Sequence, residues 1–300
     1  MQPVPSLTNL LKNVRKHAEW SVRDRFPNRK VVREVQGVRM VLPWPHRLPD
    51  YAGADGPYGQ NLVSLARLLA QDNPPVRVLD VGANVGDSTL QILDAADARV
   101  LCIEADPYYL EYLHLNVDPH AGVEVVEALL TPDEQTGATT AVRVGGTTRF
   151  THGTSGDALG SVTPTDLRKQ HPDFEDLRLI KSDTDGYDVV LVPAIAEAWS
   201  DSRPVLFFEY DPHLTRLAGN DPDAVWPRLA TLGYREVAVW GNGGHAVGRT
   251  TVDEISGKMA PLEEKIGLRK TAYWDVAVVH EKDEVALAAL DQLVPESQRL

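Results

Sequence analysis

The chain has a single cysteine, Cys102, in 300 residues, which excludes a disulfide within it. Its place beside Ile103 in an apolar run reads as a small buried hydrophobe rather than a nucleophile. No stretch approaches the roughly 18 apolar residues of a membrane span, and no signal-type apolar core opens the sequence, so cytoplasmic residence is the expectation. Basic residues are in deficit: 30 Lys and Arg stand against 43 Asp and Glu, a net charge of −13. That sign opposes broad contact with a polyanion, so nucleic acid is not an expected partner. Repeats and low-complexity segments are missing too. With 43% hydrophobic and 24% charged residues, the chain can build one large α/β domain and a small appendage.

What is present centres on residues 76–88, Val-Arg-Val-Leu-Asp-Val-Gly-Ala-Asn-Val-Gly-Asp-Ser. Val76, Val78, Leu79 and Val81 form the β-branched-rich run of a strand buried on both faces, with Asp80 near its carboxyl end. Gly82 and Gly86 supply a tight turn. Asn84 between them tolerates left-handed backbone angles, so the chain can pass close to a ligand before a helix opens over 87–96. Backbone N–H groups at that helix start face the crevice. A second run, Ala98-Arg-Val-Leu-Cys-Ile-Glu104, ends in a carboxylate roughly twenty residues beyond the turn, the spacing at which an acid meets a ribose diol. Dinucleotides, phosphorylated nucleotides and S-adenosylmethionine all suit this geometry. The middle glycine of a G-x-G-x-x-G fingerprint is missing from Gly82-Ala-Asn-Val-Gly86, and no Gly-Lys-Ser/Thr follows, so pyrophosphate ligands lose ground. For this turn alone, an ordinary strand-to-helix connection beside an incidental acid is the plain alternative.

Downstream, strands expected at 76–81, 99–104, 123–129, 177–183, 204–210 and 234–240 alternate with helices at 60–71, 87–96, 107–115, 163–170, 188–198 and 222–232. Alternation of this kind implies a parallel sheet. Tyr273–His280 is a further strand, reached without a clear crossover helix. Gly241-Asn-Gly-Gly244 reads as a loop, Val285–Leu293 as a terminal helix, and residues 144–162 as a mobile active-site loop. Upstream, Leu7, Leu10, Leu11, Val14 and Ala18 repeat at helical spacing among Lys12, Arg15, Lys16, Arg23 and Arg25, an amphipathic helix expected to pack on its own domain with a solvated basic face. A hairpin follows, with Val31–Val35 and Val38–Leu42 separated by Gln36-Gly37, and then a proline-marked linker. The expected organisation is an appendage over 1–55, a main domain over 56–284 and a helix and tail over 285–300. The appendage is expected to cover the site or, alternatively, to pair two copies of the chain as a homodimer.

Three segments in order, Asp80-Val-Gly-Ala-Asn-Val-Gly86, Ile103-Glu-Ala-Asp-Pro107 and Leu179-Ile-Lys-Ser-Asp-Thr-Asp-Gly-Tyr187, carry a resemblance to the FkbM family of S-adenosylmethionine-dependent methyltransferases. It extends from about Tyr58 through Phe207-Phe-Glu-Tyr-Asp211 to roughly residue 240. The family usually has Asp-x-Glu-Gly in the third segment, where this chain has Asp183-Thr-Asp185-Gly186. The resemblance implies a class I methyltransferase, Rossmann-like fold with a mostly parallel seven-stranded sheet and an antiparallel last strand. It also implies methyl transfer, usually to an oxygen, on a sugar, glycoside or polyketide-type metabolite.

Asp80, Glu104, Asp183 and Glu209 all fall at strand ends, where ligands of open parallel sheets sit. Four converging carboxylates repel one another unless a cation or hydrogen bonds offset them, and a sulfonium is such a cation. The expected cofactor-binding set is Asp80, Gly82, Ala83, Asn84, Gly86, Ser88, Glu104, Ala105, Asp106 and Asp183. Asp183 has the alternative role of capping the helix that follows it, and Asp106 with Pro107 opens the next helix. Transfer to an alcohol needs alignment and loss of a poorly acidic proton. His213 is the first candidate for that proton, then Asp183, with Glu209 in the same catalytic set. A metal is not expected; the alternative is a metal-assisted transfer in which Asp183 with Asp185, Glu209 or Asp211 holds a hard cation such as magnesium that polarises the substrate oxygen. Trp44, Tyr51, Tyr58, Tyr187 and Trp240 could stack on an acceptor or belong to the core. Two other readings share the fold: a catalytically silent adenosyl-ligand-binding protein, and an NAD-dependent oxidoreductase, which leaves the Asp183–Gly186 segment unexplained.

Overall fold

The computed structural model describes residues 16–53, 56–133, 138–144, 147–153, 160–263, 265–266 and 270–300. In chain order, the elements begin with a helix whose described part is 16–23 (α1), β1 (Lys30–Val35), β2 (Val38–Pro43), α2 (Leu48–Tyr51) and α3 (Gln60–Ala70). β3 (Val76–Val81), α4 (Asp87–Ala95), β4 (Ala98–Glu104), α5 (Pro107–Val117), β5 (Val123–Glu127) and β6 (Leu129–Leu130) follow. Next come β7 (Ala138–Val144), β8 (Thr147–Gly153), β9 (Ser161–Val162), α6 (Pro164–Gln170), β10 (Leu179–Ser182) and α7 (Asp188–Ala198). The chain ends with β11 (Val205–Tyr210), α8 (Pro212–Leu217), α9 (Val225–Thr231), β12 (Tyr234–Gly241), β13 (Ala246–Thr251), β14 (Lys265–Ile266), β15 (Lys270–Thr271), β16 (Trp274–His280) and α10 (Glu284–Leu293).

The central sheet has the order β13-β12-β16-β11-β10-β3-β4-β5. β10 is parallel to both β3 and β11, and β3, β4 and β5 continue parallel on the other side. β16 runs antiparallel between β11 and β12. Without the edge strand β13, this is a seven-stranded α/β sheet whose chain-order last strand is reversed, the Rossmann-like arrangement of class I methyltransferases. Strand order reverses between β3 and β10, and a crevice opens there at the carboxyl edge.

The central strands β3, β4, β10, β11 and β16 are buried on both faces because most of their residues are apolar. One face packs Val189, Val192 and Ile195 of α7 with Trp226 and Leu229 of α9. The other packs Leu62, Leu65 and Leu69 of α3 with Ala286 and Leu290 of α10. A third cluster joins Val35, Met40, Leu42 and Leu48 to Val85, Leu90, Tyr109 and Tyr112, so the N-terminal hairpin shares a core with α4 and α5.

Three features differ from the sequence expectation. An eighth strand, β13, forms where no element was expected. Gly248 breaks its apolar pattern, and the strand is held from its outer side by the C-terminal tail, where the Arg249 N–H donates to the Gln298 carbonyl at 2.8 Å and the Leu300 N–H to the Arg249 carbonyl at 2.9 Å. The segment 144–162, expected as a loop, contains β8, which pairs antiparallel with β7 just upstream, and β9; 145–146 and 154–159 lie outside the described residues. Arg23 is buried rather than solvated: its guanidinium donates to the Trp44 and His46 carbonyls and to both oxygens of Asp50. Leu7, Leu10, Leu11 and Val14 of the expected helix lie outside the described residues.

Candidate functional site

A cavity of about 470 Å³ sits at the carboxyl edge of β3, β4, β10 and β11, within the size range of small-molecule sites. The turn after β3 shapes one wall. Gly82 has φ +72°, and a Cβ there would lie 2.2 Å from the Asp183 carbonyl oxygen, so the two strand-end turns touch only because residue 82 lacks a side chain. Asn84 also has a positive φ, 51°. His46 braces it from the N-terminal segment: Nδ1 accepts from the Leu48 N–H, which leaves Nε2–H to donate to Asn84 Oδ1 at 3.2 Å. Burial, reinforced by Arg23 and Arg47, pushes the His46 imidazole down to about 4 against the opposing hydrogen bond to Asn84.

Glu104 ends β4 with its carboxylate tied to the backbone. Oε1 accepts the N–H groups of Ala105 and Asp106 at 2.9 and 2.7 Å, and Oε2 accepts that of Asn84 at 2.8 Å. A carboxylate has about four acceptor positions, so Oε2 retains one toward the cavity that Glu104 lines. Burial holds the group above the usual carboxylate range despite those three bonds.

Lys181 lies in the neighbouring strand and was given no role by sequence reasoning. Its ammonium is 3.0 Å from Asp80 Oδ1, and it donates to the Gly82 carbonyl at 3.0 Å. Burial alone would lower its pKa, but the Asp80 and Asp183 carboxylates hold it above the usual lysine range. Asp80 is fully buried and also accepts from the Thr89 hydroxyl at 2.7 Å. In the next turn, Asp188 accepts from the Ser182 hydroxyl at 2.6 Å and from the Thr184 and Gly186 N–H groups, and burial pushes its carboxyl up to about 6. Gly186, at φ +96°, admits the Leu214 backbone, which a Cβ would meet at 2.4 Å.

The far end of the cavity is lined by Glu209, Asp275, Asn61, Tyr51, Tyr58 and Tyr273. The Tyr51 and Tyr58 rings meet edge to face at 4.8 Å between centroids. Burial, then Asp183, Asp188 and Asp275, drive Glu209 well above the usual carboxylate range. The whole lining holds six acidic side chains, those of Asp87, Glu104, Asp183, Asp185, Glu209 and Asp275, against the ammonium of Lys181. Such a site favours a cationic occupant. Among the described residues, no group of three or more His, Cys, Asp and Glu is placed to hold a metal ion.

Of the expected site residues, Gly82, Asn84, Ser88, Glu104, Ala105, Asp183 and Glu209 line this cavity. Asp80, Ala83 and Asp106 lie buried behind it, Asp80 as the partner of Lys181 and Asp106 as the cap of α5, accepting from the Tyr108 N–H at 2.9 Å. Gly86 supports the turn from outside the lining: a Cβ there would meet Leu113 and Val117 at 2.9 Å. His213 is exposed on α8 and does not line the cavity; that helix, capped by Asp211, presents Leu214 and Leu217 to it instead. Tyr51, Tyr58 and Tyr187 line the cavity, Trp240 is buried against Phe207, and Trp44 lies under the Arg29 guanidinium. Sequence reasoning missed His46, Lys181, Asn61 and Asp275. A lysine inside an apolar strand was the one available signal, because a buried ammonium requires an acid.

No family model and no curated protein matches the chain. Among solved structures, it is similar to the precorrin-6y C5,15-methyltransferase of Geobacter metallireducens, at 15% identity and TM-score 0.40 over 74% of this chain and 87% of that one. It is also similar to an O-methyltransferase of Bacillus cereus in complex with SAH, at 17% identity and TM-score 0.39 over 78% and 84%. A third is the N-methyltransferase NodS of Bradyrhizobium japonicum, at 12% identity and TM-score 0.40 over 76% and 99%. No helix among the described residues is long and apolar enough to cross a membrane.

Proposed function

We propose that this protein is an S-adenosylmethionine-dependent methyltransferase of the FkbM kind, acting on a hydroxyl of a sugar, glycoside or polyketide-type acceptor. The observation that carries this reading is a strand-end glutamate, Glu104, with an acceptor position turned to a cavity lined by six acidic side chains and one ammonium. An adenosyl ligand needs an acid for its ribose, and a sulfonium suits an excess of acids, which disfavours a pyrophosphate. The motif resemblance to FkbM proteins points the same way.

In this reading Glu104 accepts from the ribose, the turn from Gly82 to Ser88 supplies backbone N–H groups, and Asp183 faces the methionine portion. Ile103, Leu129 and Leu130 offer an apolar wall for a base ring. The bound cofactor supplies an electrophilic methyl group. Lys181 holds the Gly82 carbonyl and so the shape of the turn, while the tyrosines and the N-terminal segment exclude water from the acceptor end.

Titration calorimetry tests the reading: S-adenosylmethionine and S-adenosylhomocysteine should bind, and NAD far more weakly. NAD binding as tight, with no heat from either adenosyl ligand, overturns it. A mass-shift screen of hydroxylated glycosides, phenols and polyketides with labelled cofactor then separates the enzyme from a silent adenosyl-binding protein.

A further inference from the structure

We propose that Asp275 is the general base of this cavity, held by Asn61 and paired across the strand ladder with Glu209, and that it receives the proton lost by the acceptor hydroxyl. The inference rests on the methyl-transfer reading above and names the group that reading leaves open.

The geometry is set by the reversed strand. β16 lies antiparallel beside β11, with Asp275 in direct register opposite Glu209, and side chains so placed share one face with Cβ atoms roughly 5 Å apart. Both line the cavity. Asn61, in the first turn of α3, accepts the Leu62 N–H on Oδ1 at 3.0 Å, which directs its Nδ2 to donate to Asp275 Oδ2 at 3.0 Å. Asp275 is therefore held as an acceptor on one oxygen and keeps the other for a proton. Asp183 and Asp185 follow β10, Asp188 opens α7, Lys181 lies in β10, and Tyr273 precedes β16; these are the charged and titratable groups grouped around the pair.

Two neighbouring carboxyls in a partly dry cavity do not both ionise freely. Glu209, facing more acids, retains its proton. Burial pushes Asp275 up to about 7, against the lowering bond from Asn61. A base poised near the working pH is the most effective one. His213, exposed outside the cavity, is not placed for this step.

The step balances without a further reactant. The acceptor oxygen forms a bond to the methyl carbon, the carbon–sulfur bond breaks with its electron pair going to sulfur, and the hydroxyl proton passes to Asp275 and then to solvent.

The test uses the full chain with ¹³C-labelled aspartate carboxyls. One aspartate should titrate near neutrality, disappear in Asp275→Asn and move alkaline in Asn61→Ala. Asp275→Asn should also lower kcat/KM, for the glycoside or phenol that the wild type methylates, roughly 100- to 10,000-fold. Its affinity for S-adenosylhomocysteine, whose sulfur carries no charge, should be unchanged. Asn61→Ala should shift the acid limb of the kcat/KM profile alkaline, which a purely structural role would not do. The proposal is overturned if no aspartate titration near neutrality is lost in Asp275→Asn, or if Asp275→Asn keeps wild-type turnover and profile. A wild type that methylates nothing in the panel overturns the base and the transferase reading together; the carboxyl titration, if intact, distinguishes that result from failure of the pair.

Discussion

Lys181 and Asp80 stand in register on neighbouring parallel strands, both nearly inaccessible to water, with the ammonium 3.0 Å from the carboxylate. Removing one partner leaves a buried charge uncompensated, whereas removing both does not. Lys181→Met should therefore cost roughly 3–5 kcal/mol in urea unfolding, and the double variant with Asp80→Asn should recover much of it. Equal stability of the single and double variants would show that the pair is not coupled.

Glu104 binds three backbone N–H groups and turns its remaining acceptor position to the cavity. Loss of one hydrogen bond to a charged group is worth about 1.5–3 kcal/mol, so Glu104→Ala should weaken S-adenosylhomocysteine binding at least about tenfold. Stability should also fall, by about 2 kcal/mol, because the N–H groups of Asn84, Ala105 and Asp106 lose their acceptor. Calorimetry on the folded variant reads the first effect and chemical denaturation the second.

His46 is neutral in the folded protein down to about pH 4, while its unfolded counterpart takes a proton near 6.5. Between those values the unfolded state binds more protons, so stability present above pH 6.5 is lost as pH falls toward 4, by roughly 3 kcal/mol from this group. His46→Gln keeps a donor for Asn84 and removes the titration. Its unfolding free energy should fall less steeply over the same window, and a slope equal to the wild type would refute the assignment.

Asn116 ties the N-terminal hairpin to the turn after β3. Its Oδ1 accepts from the Val41 N–H at 2.7 Å, and its Nδ2 donates to the carbonyls of Val41 and Val85 at 2.9 and 2.7 Å. Asn116→Ala should cost about 2–4 kcal/mol. Deleting residues 1–50 should expose Val85, Leu90, Tyr109 and Tyr112, lower the thermal midpoint and increase binding of a hydrophobic dye. A truncated protein with an unchanged midpoint would show that the hairpin contributes cover and no core.

Local pattern was enough for the frame of the site. The run before Gly82 and the two glycines around Asn84 are neighbours along the chain, so short-range backbone rules apply to them directly, and the acid at Glu104 ends the next strand at a readable spacing. The antiparallel last strand came from the family resemblance. The edge strand β13 escaped because its pattern is interrupted at Gly248 and its outer ladder is supplied by the distant tail.

The amino-acid sequence by itself determined the alternating strands and helices, the cofactor-type turn and the excess of acids at strand ends. Periodicity and glycine placement are local properties that survive without knowing what packs where. Tertiary structure alone decided which acids lie together. Asn61 and Asp275 are 214 residues apart and meet because β16 inserts, reversed, beside β11. His46 reaches Asn84 across 38 residues because the hairpin is packed on α5. His213 is turned out of the cavity because α8 starts at Pro212, behind its Asp211 cap, and places Leu214 and Leu217 in the lining. A side chain's protonation and reach depend on partners brought by the fold, and one-dimensional spacing contains no record of them.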